Sequence, residues 1–170
     1  MTLPLTIVIR PAVPDDAAQI GRLHAHVFGP GRFARTAYRV REGTPAVSRF
    51  CRVCEQVGRP MAAVRFTEAT VGRRGGVLLL GPLAVAAEIA GRGFGRELVR
   101  TGLEAAKHAG VRLVVLVGDE PYYGRFGFKA VPAGQIRFPG PVDPARLLAA
   151  ELQPGALATY SGLLGADGGT

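Results

Sequence analysis

The sequence predicts a single domain of the α/β class, α+β in some schemes, built as a mixed sheet with helices on both faces. Three observations carry this. Strand-like and helix-like runs follow one another along the whole chain, with no internal repeat and no linker to divide it. The run Val77–Ala86, VLLLGPLAVA, is the most apolar segment and reads as a buried central strand. After it comes the clearest helix, about Gly93–Ala109, with Phe94, Leu98, Val99, Gly102, Leu103 and Ala106 on one face and Arg96, Glu97, Arg100, Glu104, Lys107 and His108 on the other. A chain of 170 residues is long enough for one domain with a hydrophobic core and short for two.

The elements follow in order. Leu5–Arg10 alternates as a strand does, and Pro11 and Pro14 close it. Asp15 and Asp16 then place carboxylates in the first turn of a helix that runs to about Val27. Between Phe28 and Pro45, Gly29, Pro30 and Gly31 precede an Arg-rich stretch with Phe33, Tyr38 and Val40 at loosely helical spacing, a short helix between loops. Val47–Val57 and Met61–Phe66 read as an antiparallel pair around a turn at Gly58, Arg59 and Pro60, and a glycine-rich link, Gly72–Gly76, follows. Gly81 and Pro82 interrupt the central strand, which signals a bulge or a splayed edge. Gly110 stops the long helix, and Leu113–Val117 is a second buried strand. The last third holds Pro121–Phe128, a Pro- and Gly-rich turn region, a short helix near Pro144–Leu152 and a closing strand over Ala156–Leu164.

Composition narrows the function. Hydrophobic residues make up 48% and charged residues 20%, a globular balance. The longest apolar runs fall short of the roughly 18 to 20 residues of a membrane span, and Leu3–Ile9 lacks the pattern of a cleaved leader, so a soluble, cytoplasmic protein without a membrane partner is expected. Cys51 and Cys54 lie three apart in a strand-like stretch, where side chains point to opposite faces, which argues against a shared metal or a redox pair. The net charge is +8, but 19 of the 21 basic residues are Arg, scattered and without interleaved aromatics, so nucleic acid is not the expected partner.

The chemistry-bearing stretch is Ala90-Gly91-Arg92-Gly93-Phe94-Gly95-Arg96, between the central strand and the long helix. Its glycines leave backbone N–H groups exposed at a helix N-terminus, where phosphate oxygens bind. Arg92 and Arg96 oppose the helix macrodipole at a cost of about 0.3 to 1 kcal/mol each, and a bound polyanion reverses that sign. A dinucleotide-binding unit fits less well, since the third glycine of G-x-G-x-x-G falls on Arg96 and several residues separate strand and first glycine. A Walker A loop is excluded by the missing Gly-Lys-Ser/Thr.

Over roughly Ile7–Phe128 the chain resembles the GNAT superfamily of acetyl-CoA-dependent N-acetyltransferases, and along its length a bacterial subgroup of that family known mainly by sequence. The family's phosphate loop, Gln/Arg-x-x-Gly-x-Gly/Ala, matches with Ala90, Gly93 and Gly95 at its first, fourth and sixth positions, and Ala90 departs from the pattern. The resemblance implies a mostly antiparallel sheet splayed at the Gly81-Pro82 bulge, within a domain spanning 1–170 whose core is about 5–130 and whose C-terminal extension is about 131–170. It also implies that Leu83, Ala84 and Val85 present main-chain groups to the pantetheine arm, and that Gly91, Arg92, Gly93, Phe94, Gly95 and Arg96 hold the pyrophosphate. Tyr122-Tyr123-Gly124-Arg125-Phe126-Gly127-Phe128 resembles the family's Tyr-x-x-x-Gly-Phe, which places Tyr123 as the acid that protonates the CoA thiolate. Tyr122 reads as packing, and Asp119 stands near the family's strand-end Asn.

An amine acceptor must lose a proton before it attacks the thioester. Many relatives use a carboxylate on the split strand, but Val77–Ala86 has none; Glu68, Glu88, His24 and His26 are the nearby candidates, and a water relay needs no single residue. Gly29–Arg35 lies where such proteins build the acceptor pocket, with Arg32 and Arg35 in it. The expectation is transfer of acetyl from acetyl-CoA, without a metal, to a small-molecule or peptide amine, in a protein that could form homodimers. The alternatives are a GNAT fold that binds CoA as a sensor or interaction module, a different acyl donor, and an RNA-binding protein.

Overall fold

The computed structural model describes residues 6–29 and 36–167. The chain runs β1 (Ile7–Pro11), α1 (Ala17–Phe28), α2 (Thr36–Arg41), β2 (Arg52–Gln56), β3 (Arg59–Val71), β4 (Arg74–Val85), α3 (Phe94–His108), β5 (Leu113–Val117), α4 (Glu120–Tyr123), β6 (Lys129–Ala130), β7 (Ile136–Arg137), β8 (Leu147–Glu151) and β9 (Gly162–Ala166). The strands lie in the order β1-β2-β3-β4-β5-β8-β6, with β9 paired to β3 and β7 to β9. All pairings are antiparallel except β4–β5 and β7–β9. This is the mixed, mostly antiparallel α/β sheet expected.

Period-2 alternation sorts the central strands onto two faces. Leu78, Leu80, Val114, Leu116, Leu148 and Ala150 join Leu98, Val99, Leu103 and Ala106 of α3 in one layer. Val77, Leu79, Leu113, Val115, Leu147 and Ala149 face the other way, with Val40 of α2, Ile136, Tyr160 and Leu164. The close approach of α3 depends on Gly102, where a Cβ would run into the Phe66 ring and lie 3.2 Å from the Phe50 carbonyl oxygen. Cys51 and Cys54 are buried free thiols, and Cys51 Sγ accepts from the Phe66 N–H at 3.3 Å.

Five expectations are revised. The strand read over Val47–Val57 is confined to Arg52–Gln56, because residues 48–51 turn. The link read at Gly72–Gly76 is a tight hairpin: Gly72 (φ 57°) and Arg73 (φ 70°) form the turn and Val71 already pairs with Arg74. Asp15 and Asp16 lie in a 3-10 turn, Pro14–Asp16, ahead of α1 rather than in its first turn, and the Asp16 carboxylate takes two bonds from Arg10, at 2.8 and 2.9 Å, and one from the Val13 N–H at 2.8 Å. Hydrogen bonding from Arg10 holds that carboxyl below the usual range. Finally, the helix expected near Pro144–Leu152 is a single 3-10 turn, Pro144–Arg146, followed by β8. Leu, Ala and Glu favour helix intrinsically, yet β8 fills the slot beside β5 along its whole length and buries four of its five residues, and that packing overrides propensity. The last strand is likewise shorter, a 3-10 turn at Ala156–Thr159 preceding β9.

The Gly102–Phe66 contact gives a direct test. Gly102→Ala forces the Phe66 ring to move and is expected to destabilise the fold by about 1 to 3 kcal/mol in urea unfolding; a loss below about 0.5 kcal/mol would contradict the packing described.

Candidate active site

The site begins where β4 loses a neighbour. Parallel pairing of β4 with β5 covers only Val77–Leu79 against Leu113–Val115. On its other side β4 stays paired with β3 up to Val85, and the register shifts there: Phe66 faces Leu80 and Val64 faces Leu83, so the extra residue lies at Gly81-Pro82. Beyond Leu79 the β5-side edge of β4 therefore has no strand partner among the described residues. Leu83, Ala84 and Val85 lie on this stretch, with Ala84 buried and its neighbours half-buried.

The glycine loop follows. Gly91 (φ 76°) and Gly93 (φ 86°) take left-handed conformations, and Gly93 stands at the N-cap of α3. No side chain caps this helix, and its first intrahelical bond runs from the Glu97 N–H to the Gly93 carbonyl. The N–H groups of Phe94, Gly95 and Arg96 consequently have no intrahelical acceptor. Arg92 lies just before the helix and Arg96 in its first turn, both exposed, while Phe94 is half-buried. Gly95 is buried where a Cβ would stand 3.4 Å from Val85 and 3.2 Å from the Tyr122 hydroxyl, so the loop, β4 and α4 meet at this glycine.

The tyrosines sit on the opposite lip. The ring of Tyr123 lies over Gly118 at the end of β5, where a Cβ would come within 2.7 Å of it. It packs edge-on against Tyr122 (4.9 Å between centroids) and Phe128 (5.9 Å). Tyr122 holds the Arg125 guanidinium over its ring at 4.9 Å.

A cleft of about 950 Å³ opens in the splay. Gly81, Pro82 and Leu83 of β4, Val117, Gly118, Asp119, Tyr122 and Tyr123 from the end of β5 and α4, and residues of α1, α2 and β3 line it. Of the four base candidates only His24 lines it. His26 and Glu88 border a separate hollow of about 450 Å³, and Glu68 is exposed on β3, where its carbonyl oxygen accepts from the Asp167 N–H. Sequence reasoning missed Arg41, Arg65 and Arg146, which also line the cleft. The loop residues Arg32 and Arg35 lie outside the described residues.

Comparison with known proteins agrees with this geometry. Residues 19–128 match the Acetyltransferase (GNAT) family, and the chain belongs to that family of N-acetyltransferases. It is 32% identical over 130 residues to the uncharacterized N-acetyltransferase YjhQ of Escherichia coli strain K12, covering 75% of this chain and 71% of that one. It is similar along nearly its whole length to the crystal structure of E. coli YhbS in complex with CoA, with a TM-score of 0.79, 27% identity and coverage of 98% and 92%. A GNAT family acetyltransferase from Brucella melitensis in complex with acetyl-CoA follows at a TM-score of 0.63, 29% identity and coverage of 90% and 99%. Among the described residues no helix is long and apolar enough to cross a membrane.

Burial pushes the Tyr123 phenol up to about 12, with the neighbouring Tyr122 and the Asp119 carboxylate adding to the shift. In an absorbance titration of intact protein, Tyr123 should therefore contribute about a tenth of a phenolate at pH 11, read as the difference from Tyr123→Phe. A full phenolate by pH 10.5 would contradict the burial.

Proposed function

We propose that the protein transfers an acetyl group from acetyl-CoA to an amine, with Tyr123 as general acid to the departing thiolate. One observation carries the reading: the open edge of β4 at Leu83 and the Tyr122 and Tyr123 rings line a single cleft, and Gly95 in the uncapped first turn of α3 abuts Leu83 and Tyr122. The E. coli and B. melitensis structures, in complex with CoA and acetyl-CoA, support the choice of donor.

In this reading Leu83, Ala84 and Val85 offer main-chain groups to the pantetheine amides as a neighbouring strand would. The loop Gly91–Arg96 holds the pyrophosphate through the N–H groups of Gly93, Phe94, Gly95 and Arg96, with Arg92 and Arg96 adding charge. Ala90 removes one side-chain contribution the family usually has and leaves these backbone donors intact. The acceptor nitrogen forms a bond to the thioester carbonyl carbon, the C–S bond breaks, and sulfur leaves with the electron pair. The proton shed by the amine passes to water or to His24, the imidazole lining the cleft.

The phenol of Tyr123, at about 12, keeps its proton at neutral pH. Full transfer to a thiolate of ordinary pKa near 8.5 is uphill by about 3.5 units. Tyr123 therefore acts first as a hydrogen-bond donor to the sulfur while charge builds there. The proton moves in a desolvated setting, where burial raises the thiol as it raises the phenol.

Tyr123→Phe retains the ring and its aromatic packing. It should lower kcat by about 10² to 10⁴-fold on any amine the wild type acetylates, with acetyl-CoA affinity within about threefold. An unchanged kcat would remove Tyr123 from the mechanism. Wild-type protein that binds acetyl-CoA and acetylates no amine would favour the sensor reading.

A further inference from the structure

Resting on the acetyl-transfer reading, we propose that the acceptor is a small amine that also carries a carboxylate or phosphate, and that Arg41 and Arg65 bind this anionic group beside the Gly81-Pro82 bulge. Arg41 ends α2, and its Nη2 stands 3.0 Å from where a Cβ on Gly81 would be, so its guanidinium is against the bulge itself. Arg65 is the β3 residue between Val64 and Phe66, where the register shifts opposite Gly81-Pro82. The two are tied into one network: Arg65 Nη2 donates to Thr44 Oγ1 at 2.9 Å and to the Pro45 carbonyl at 3.2 Å, while Thr44 Oγ1 donates to the Arg41 carbonyl at 2.6 Å. Arg41 from α2 and Arg65 from β3 thus both line the cleft, each half-buried, and the Arg65 guanidinium reaches the Arg41 backbone through Thr44.

The charges lining the cleft are unevenly distributed. Among the described residues its carboxylates are Asp119 and Asp143, which belong to the α4 side. Asp143 accepts from the Ala145 N–H at 3.0 Å, and Asp119 pairs with Arg146 at 3.4 Å. Among the described residues, the part of the lining drawn from α1, α2 and β3 includes Arg41 and Arg65 and no carboxylate. A polyamine there would meet like charge in a partly desolvated space, where repulsion is stronger than in water. A carboxylate or phosphate matches the planar fork of a guanidinium and forms charge-assisted bonds to it. Anchored at the bulge, such a group holds its own amine within the same cleft as Tyr123, next to the strand edge assigned to the donor.

The test uses amine pairs that differ by one anionic group: tyrosine against tyramine for the carboxylate, phosphoethanolamine against ethanolamine for the phosphate. Each is measured for CoA release from acetyl-CoA and for binding to the CoA-loaded protein, and the same preparation is titrated with acetyl-CoA. The anionic member of at least one pair should be favoured by on the order of tenfold or more, and which pair responds identifies the group. Arg41→Gln and Arg65→Gln should each pull that ratio toward one, while Arg65→Lys keeps part of it; a purely structural role would lower both members together and leave the ratio unchanged. Preference for the member that lacks the anionic group, no preference in either pair, or a ratio unaltered in both Gln variants overturns the proposal. Absence of acetyl-CoA binding would instead remove the donor reading beneath it.

Discussion

The site depends on a strand that cannot keep both its neighbours. An apolar run such as Val77–Val85, paired on both sides, would be an ordinary interior strand with every main-chain group satisfied. Gly81-Pro82 prevents this, because proline lacks an N–H and the extra residue shifts the register with β3. Pairing with β5 ends at Leu79, the two strands part, and the unpaired edge of β4 faces a cleft rather than a neighbour. The remaining site features are arranged around that opening. The loop after β4 starts α3 beside Leu83 and Tyr122, which line it, and the Tyr123 ring lies against Gly118 where the chain leaves β5.

Glycines make the arrangement close enough to work. Gly95 lets the first turn of α3 approach Val85 and Tyr122, Gly118 lets the Tyr123 ring lie on the end of β5, and Gly102 lets the middle of α3 rest on Phe66. The same packing that stabilises the layer also dries the phenol and raises its pKa. Apolar contact around Tyr123 thus both orders the ring and disfavours its phenolate. Arg41 and Arg65 add positive charge to the lining of the same cleft.

Much of this was legible in the sequence because it is local. Leu113–Val117 is strand over the span its apolar run suggests, α3 is within a residue of its amphipathic pattern, and the Gly-Pro pair marks the splay. What was not legible depends on contacts between distant segments. Leu147–Glu151 has helix-forming residues and becomes a strand only because β5 presents an open edge. In a chain with 19 arginines, nothing near Arg41 or Arg65 distinguishes them from the rest; they matter through the bulge on a third element. Proximity in sequence also misled, since His26 is two residues from His24 and lies at a different hollow.

The central claim is that the β4 edge and the α3 N-terminus together hold acetyl-CoA, and calorimetric titration tests it most directly. Acetyl-CoA is titrated into the wild type and into the Arg92→Ala/Arg96→Ala double variant, with NAD as the control ligand. The account predicts micromolar acetyl-CoA binding that the double variant weakens by about tenfold or more, with no response to NAD. No acetyl-CoA binding by the folded wild type would contradict it, and binding of NAD in its place would return the glycine loop to a dinucleotide-binding role.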